Sequence, residues 1–241
     1  VQFRWYSGSE TGIELSPTTI NTTKTSLNDY LKRMDTKLSN RNPKKKYNPK
    51  QLILVDADGV ILDWEYAFSV WMEEHGFART EGSQFLYDIG QRYGIDHAQG
   101  RKLIKIFNES AAIGFLPPLR DAMYYVKRLH EEHGYVFHCI TSLSLDANAG
   151  KLREMNLRKL FGKTAFERIV CLDTGADKNA ALSEYRDSGC LWIEDKPENA
   201  EVGLDLGLRS ILMEHGHNMN HVNEQIPVVK NWREVYDFVT S

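Results

Sequence analysis

The strongest constraint on the fold is a recurring unit, a short apolar run that ends in an acid or a hydroxyl group. Five such runs occur: QLILVDAD from residue 51, YVFHCIT from 135, RIVCLD from 168, CLWIED from 190 and RSILME from 209. They are too short for core helices and largely apolar rather than alternating. That is how parallel strands buried on both faces read. Helical spacing fills the gaps between them. Residues 64–75 place Trp64, Phe68, Trp71 and Met72 on one face, and DAMYYVKRLHEEH turns Met123, Val126 and Leu129 inward. Residues 147–161 are helical, and NWREVYDFV closes the chain with Trp232, Val235, Tyr236 and Val239 as its apolar positions.

Strand–helix alternation implies an α/β fold, a Rossmann-like doubly wound parallel sheet covered on both faces. One interval, 64–116, follows the first strand and contains no strand of its own. Helical patterns fill 83–113 until Pro117 and Pro118 stop them, so this interval is expected to be a small helical cap inserted in the core. The expected layout is therefore a core of 51–63 and 117–241, a cap of 64–116, and a separate segment, 1–50.

Residues 1–50 form a basic arm or linker. They hold ten Lys and Arg against four Asp and Glu, so the remainder of a chain of net charge −3 carries −9. Leu27, Tyr30, Leu31, Met34 and Leu38 suit a short amphipathic helix over 27–39, and NRNPKKKYNPK reads as a solvated linker. Such an arm is expected to be a tail, or a contact for nucleic acid or a protein partner. Cys139, Cys171 and Cys190 are odd in number and lie in or beside apolar strands, which points to reduced thiols and a cytoplasmic setting. No apolar run approaches the roughly 18 residues of a membrane span. The opening VQFRWYSGSE lacks a basic-then-apolar leader pattern and an initiator Met, so the start reads as processed or trimmed.

Ligands of doubly wound sheets bind beyond the carboxyl ends of the strands. There the sequence places Asp56, Asp58 and Gly59, then Thr141 and Ser142, then Asp173, Asp177 and Lys178, then Glu194, Asp195 and Asn199, and finally Glu214, His215 and Gly216. Several carboxylates at one edge repel unless a cation sits among them, and oxygen ligands suit Mg²⁺. Hydroxyls and a lysine bind phosphate. A carboxylate not fully neutralised by metal can attack phosphorus. Gly59 lets the chain bend after Asp56, so that Asp56 and Asp58 can both reach one substrate.

LILVDADGVILD, CITS, the downstream Lys178 and WIEDKPEN resemble, in order and spacing, the four motifs of the haloacid dehalogenase superfamily of phosphohydrolases. The resemblance covers about residues 51–240. It implies that Asp56 is the nucleophile and a metal ligand. Asp58 is then the general acid and base, with its carbonyl on the metal. Thr141 and Lys178 hold the phosphoryl group, with Ser142 and Gly59 beside them, and Asp195 ligates Mg²⁺ directly or through water. Glu194 and Asn199 support that site. An Asp at 58 separates phosphatase-like members from the dehalogenases. The implied activity is an Mg²⁺-dependent phosphomonoesterase acting on a small phosphorylated substrate through an aspartyl phosphate.

A finer likeness is to the 5′(3′)-deoxyribonucleotidases, carried by ESAAIGFLPPLRDAMYYVKRL, FHCITS, FERIVCLDTGADK and NWREVYDFV. It implies a nucleotide substrate. The loop before Lys178 departs in spacing, EDKPENAEVGLDLG is closer to general phosphatases of the superfamily, and the basic arm has no counterpart.

Singly, each acid would be a turn or cap carboxylate; their order and spacing together point to catalysis. The cap aromatics Phe68, Trp71, Phe107 and Phe115 read as core more than as stacking groups. HGHNMNH, with His215, His217 and His221, matches no zinc spacing and reads as a solvated loop. Two other functions stay open: a binding module docked through the arm, and a phosphotransferase or mutase.

Overall fold

The computed structural model describes residues 47–241. The expected helix over 27–39 and nearly all of the basic arm lie outside them. The chain runs β1 (Leu52–Val55), α1 (Trp64–Glu74), α2 (Ile89–Tyr93), α3 (His97–Asn108), α4 (Ala122–His133), β2 (Val136–Ser142), α5 (Ala147–Phe161) and β3 (Phe166–Leu172). It continues through α6 (Asn179–Leu182), β4 (Leu191–Glu194), α7 (Pro197–Asp205), β5 (Arg209–Met213), β6 (Val228–Val229) and α8 (Trp232–Thr240).

The six strands form one parallel sheet in the order β3-β2-β1-β4-β5-β6. Strand order therefore reverses at β1, which pairs with β2 on one side and β4 on the other. Residues alternate between the two sheet faces. Ile53 and Val55 join Phe137, Cys139 and Ile193 in the larger core, covered by Phe68, Val126, Leu157 and Trp232. Leu52 and Leu54 join Ile140 and Trp192 in the second core, under Leu182 and Tyr185. Both faces are thus apolar, as the unbroken runs require.

Between β1 and β2 the chain makes a helical insertion of α1 to α3 with two short 3₁₀ turns, Ser83–Phe85 and Ala111–Phe115. Its ends are tied where it leaves and rejoins the core: Asp63 N donates to Pro117 O at 2.9 Å and Leu119 N to Ile61 O at 2.7 Å. Its own core is aromatic. Trp64 stacks on Phe68, and Phe107 meets both rings edge-on. Phe68 and Phe107 are buried and Trp71 packs against them, as expected, but Phe115 is exposed with Lys159 Nζ 5.7 Å above its ring.

Several expectations are corrected. Met123 is exposed; Ala122 takes the inward position beside Val126 and Leu129 because the burial stripe of α4 starts one residue earlier. β3 is an edge strand and only Phe166 in it is buried, so its apolar run is half-covered. β6 has only two residues and no run long enough to announce it. On α8 the buried residues are Trp232, Val235 and Phe238, with Tyr236 and Val239 at the margin. Tyr47, read as linker, belongs to the core: its ring packs 4.6 Å from that of Tyr185. The three cysteines are free thiols. No helix among the described residues is long and apolar enough to cross a membrane.

Candidate active site

The strand ends at the β1/β4/β2 junction converge on one cleft of about 870 Å³, lined from the core by Asp56, Asp58, Thr141, Lys178, Glu194 and Asp195. Reversal of strand order at β1 opens a crevice there, where no helix crosses the strand ends. Asp56 continues the ladder past β1, its amide donating to Ile193 O at 2.9 Å. Its carboxylate accepts from Ala57 N at 2.6 Å and pairs with Lys178 Nζ at 2.8 Å. Lys178 is buried and also donates to Glu194 Oε1 at 2.7 Å.

Glu194 is saturated. Besides Lys178 it accepts from Asn199 Nδ2, and from the amides of Asp195 and Lys196. Although oxygens of Asp56, Glu194 and Asp195 lie within 4.8 Å of one another, Glu194 has no bonding direction left for an ion. Its role is to fix Lys178 and the turn that presents Asp195. Asp56 and Asp195 remain as side chains that could hold an ion, an all-oxygen set suited to a hard cation.

The titration behaviour fits the same reading. Burial, with Glu194 and Asp58 nearby, pushes Asp56 up to about 7 despite Lys178. Burial, then Glu194 and Asp56, raises Asp195 well above the usual carboxylate range. One ammonium cannot neutralise two buried carboxylates and a partly buried third. Burial works against the Lys178 ammonium, but Asp56 and Glu194 outweigh it and hold the group protonated. Glu194, buried too, is held below its ordinary value by Lys178 and the amides.

Gly59 shapes this site by absence. Its φ of +73° is left-handed, and a Cβ there would lie 2.4 Å from Asp195 Oδ2. Its amide donates to Leu62 O and its carbonyl accepts from His215, so it offers space to Asp195, with neither backbone group left for phosphate. Thr141 differs. Its hydroxyl is fully buried and has no hydrogen-bond partner, while the residue lines the cleft. Such an orphan costs free energy unless a ligand satisfies it. Ser142 lines the cleft too, but its hydroxyl donates to Ala176 O at 2.8 Å and so anchors the loop leading to Lys178.

Asp58, lining the same cleft, forms a two-point pair with Arg153, at 2.6 Å and 3.0 Å. Arg153 is fully buried. The sequence reading missed this residue, yet a signal existed. Ala149, Arg153, Asn156 and Leu157 share the buried face of α5, and a charge on such a face needs a partner.

The solvated-loop reading of HGHNMNH is corrected for its first half. His215 Nε2 donates to Gly59 O at 2.6 Å, and Asn218 Nδ2 donates to Asp195 O at 2.6 Å and Met213 O at 2.8 Å. Asn218 is buried, and His217 packs within 3.5 Å of Asp195 Oδ2. Burial holds both imidazoles below their ordinary pKa. These side chains brace the backbone of the acidic loops, which a count of metal-like spacings does not register. His221 lies outside the cleft, facing Glu201 at 3.7 Å.

The chain matches no protein-family model. It is 30% identical over 128 residues to an uncharacterised 32.4 kDa protein of Enterobacteria phage T4, an alignment covering 51% of this chain and 45% of the phage protein. The chain thus spans about half the length of that relative. Among solved structures it is similar to a haloacid dehalogenase-like hydrolase from Streptococcus pneumoniae, with a TM-score of 0.57 and 14% identity, covering 78% of this chain and 97% of that one. CbbY from Rhodobacter sphaeroides, solved with phosphate, gives 0.51 and 18% over 77% and 96%. The magnesium-bound hydrolase YfnB from Bacillus subtilis gives 0.51 and 16% over 80% and 100%.

Proposed function

We propose that this chain, which has the haloacid dehalogenase-like fold, is an Mg²⁺-dependent phosphomonoesterase. The observation that carries the reading is convergence: Asp56, Asp195 and Lys178 meet at one point of the sheet edge, beside the unpartnered Thr141 hydroxyl. Asp56, Asp195 and the Asp58 carbonyl would hold Mg²⁺, which when bound neutralises charge on the transferring group.

An Asp56 carboxylate oxygen forms a bond to phosphorus as the bond from phosphorus to the ester oxygen breaks. Lys178 steadies the equatorial oxygens and Thr141 donates to one of them. Protonated Asp58 gives its proton to the departing oxygen. Asp58, now a carboxylate, takes a proton from the water that attacks the aspartyl phosphate, which returns Asp56 and releases phosphate. The two-point Arg153 pair fixes the position of the Asp58 carboxyl group for both steps.

The leaving group we propose is nucleotide-sized, in keeping with the resemblance of the cap and motif segments and with the volume of the cleft. The test is phosphate release from a panel of esters, with Mg²⁺ and with chelator. Asp56→Asn is expected to remain folded and lose turnover by a factor of at least about 10³. Undiminished turnover in that variant, or in chelator, sinks the reading. Sugar phosphates turned over as well as deoxynucleoside monophosphates would remove the nucleotide.

A further inference from the structure

The cleft has two unlike sides. Its floor is the acidic strand edge with Lys178. The insertion supplies its roof, including Glu65 and Asp88, and α3 contributes His97, Arg101, Lys102, Ile104, Lys105 and Asn108. Asn108 fixes the helix over the floor, donating to Leu143 O at 2.9 Å and accepting from Trp64 Nε1 at 2.9 Å. Seven residues back, about 10 Å along the axis, stand Arg101 and Lys102.

Helix α3 turns Phe107 into the core with Leu103 and Ile104 packed against it, and its cations face elsewhere. Ile106 is 45% exposed and does not line the cleft, while the cations do. Lys105 is already neutralised by Glu109, which also accepts from Ser144. Arg101 and Lys102 have no carboxylate partner among the described residues, and both are exposed to the cleft. Transfer of one phosphoryl group needs only the floor. The cleft of about 870 Å³ is also far larger than a phosphate, so two lining cations without a carboxylate partner among the described residues suit a second anion.

We infer that Arg101 and Lys102 form a subsite for a second phosphate carried by the leaving group, so that the preferred substrate is a bisphosphorylated small molecule. This rests on the phosphomonoesterase reading for the identity of the floor. A guanidinium and an ammonium from successive positions of one helix, both lining the cleft, can each give a charge-assisted bond to a phosphate dianion.

The experiment separates the two ideas by measuring binding as well as turnover. Asp56→Asn with Mg²⁺ is titrated calorimetrically with a nucleoside 3′,5′-bisphosphate, the matching 5′-monophosphate, a hexose 1,6-bisphosphate and the matching 6-phosphate. At least one bisphosphate is expected to bind about tenfold tighter than its monophosphate, and which pair shows it identifies the carrier. In the doubly substituted Arg101→Ala, Lys102→Ala protein that advantage disappears, while turnover of p-nitrophenyl phosphate by the otherwise native enzyme is unchanged. Lys105→Ala, which removes an already paired charge, is expected to cost the bisphosphate less.

Equal binding within both pairs overturns the inference. So does a double variant that weakens monophosphate and bisphosphate alike, since the roof would then serve the transferred group itself. Absence of all phosphatase activity with the bisphosphate advantage intact would instead remove the reading of the floor and leave the subsite standing.

Discussion

At the scale of single residues, the site depends as much on a missing side chain as on the acids. Gly59 combines a left-handed backbone with a position where a methyl group would overlap the Asp195 carboxylate. For Gly59→Ala the backbone alone costs about 1–2 kcal/mol, and Asp195 must also move. The expected outcome is a lowered melting temperature together with weaker Mg²⁺ binding by calorimetry and slower phosphate release. A variant with native Mg²⁺ affinity would show that Asp195 does not need the space. The acids and Thr141 were legible in the sequence because they close apolar runs that sheet geometry delivers to one edge, and Lys178 through the order of the motifs. Arg153 was hidden because its partner Asp58 is distant in sequence and joins it only through packing. Glu194 was legible as present, but its saturation by four donors depends on the conformation of the turn after β4.

At the scale of elements, the C-terminal helix α8 does more than close the larger core. Trp232 is fully buried, and its Nε1 donates to Val60 O at 2.7 Å, inside the turn that carries Asp58 and Gly59. Its backbone amide is held in turn by Asp121 at the start of α4. Trp232→Phe removes the donor and leaves a buried carbonyl unsatisfied, a loss of about 1–3 kcal/mol. Chemical denaturation is expected to show it, with kcat falling while the KM for a small ester stays near native. Long helices with strong spacing, such as α1 and α5, could be read from the sequence within a residue or so. Beyond α1 the cap was read as helical patterns filling 83–113 without their boundaries, which Gly82 and Gly94, both with positive φ, and the extended Asp88 and Asp96 set. β6 was unreadable because two residues carry no period.

At the scale of the whole molecule, the acidic edge couples metal, pH and stability. The unfolded chain releases the protons of Asp56 and Asp195 near pH 4, whereas the folded protein holds the Asp56 proton up to about pH 7 and raises Asp195 likewise. In chelator, the folded state therefore binds more protons than the unfolded state across that window. Stability from these groups is fully present below it and is lost as pH rises toward about 7. Glu194, held low, is ionised in both states above about pH 5 and does not oppose this. The thermal midpoint in chelator is expected to fall from about pH 5 to pH 7, less steeply in Asp56→Asn. Mg²⁺ near neutral pH is expected to raise it in the native protein. A flat profile in chelator would mean that the acids are solvated and share no ion.

The two stems of the inserted helices lie at Asp63–Pro117 and Ile61–Leu119, a few positions beyond Asp58 in the same turn. Any swing of the insertion away from the sheet pulls on that turn, and so on the grip of Arg153 upon Asp58. On the proposed mechanism, admission of a molecule and readiness to move a proton would both depend on one short stretch of backbone, and an insertion transplanted from another protein would retime both together.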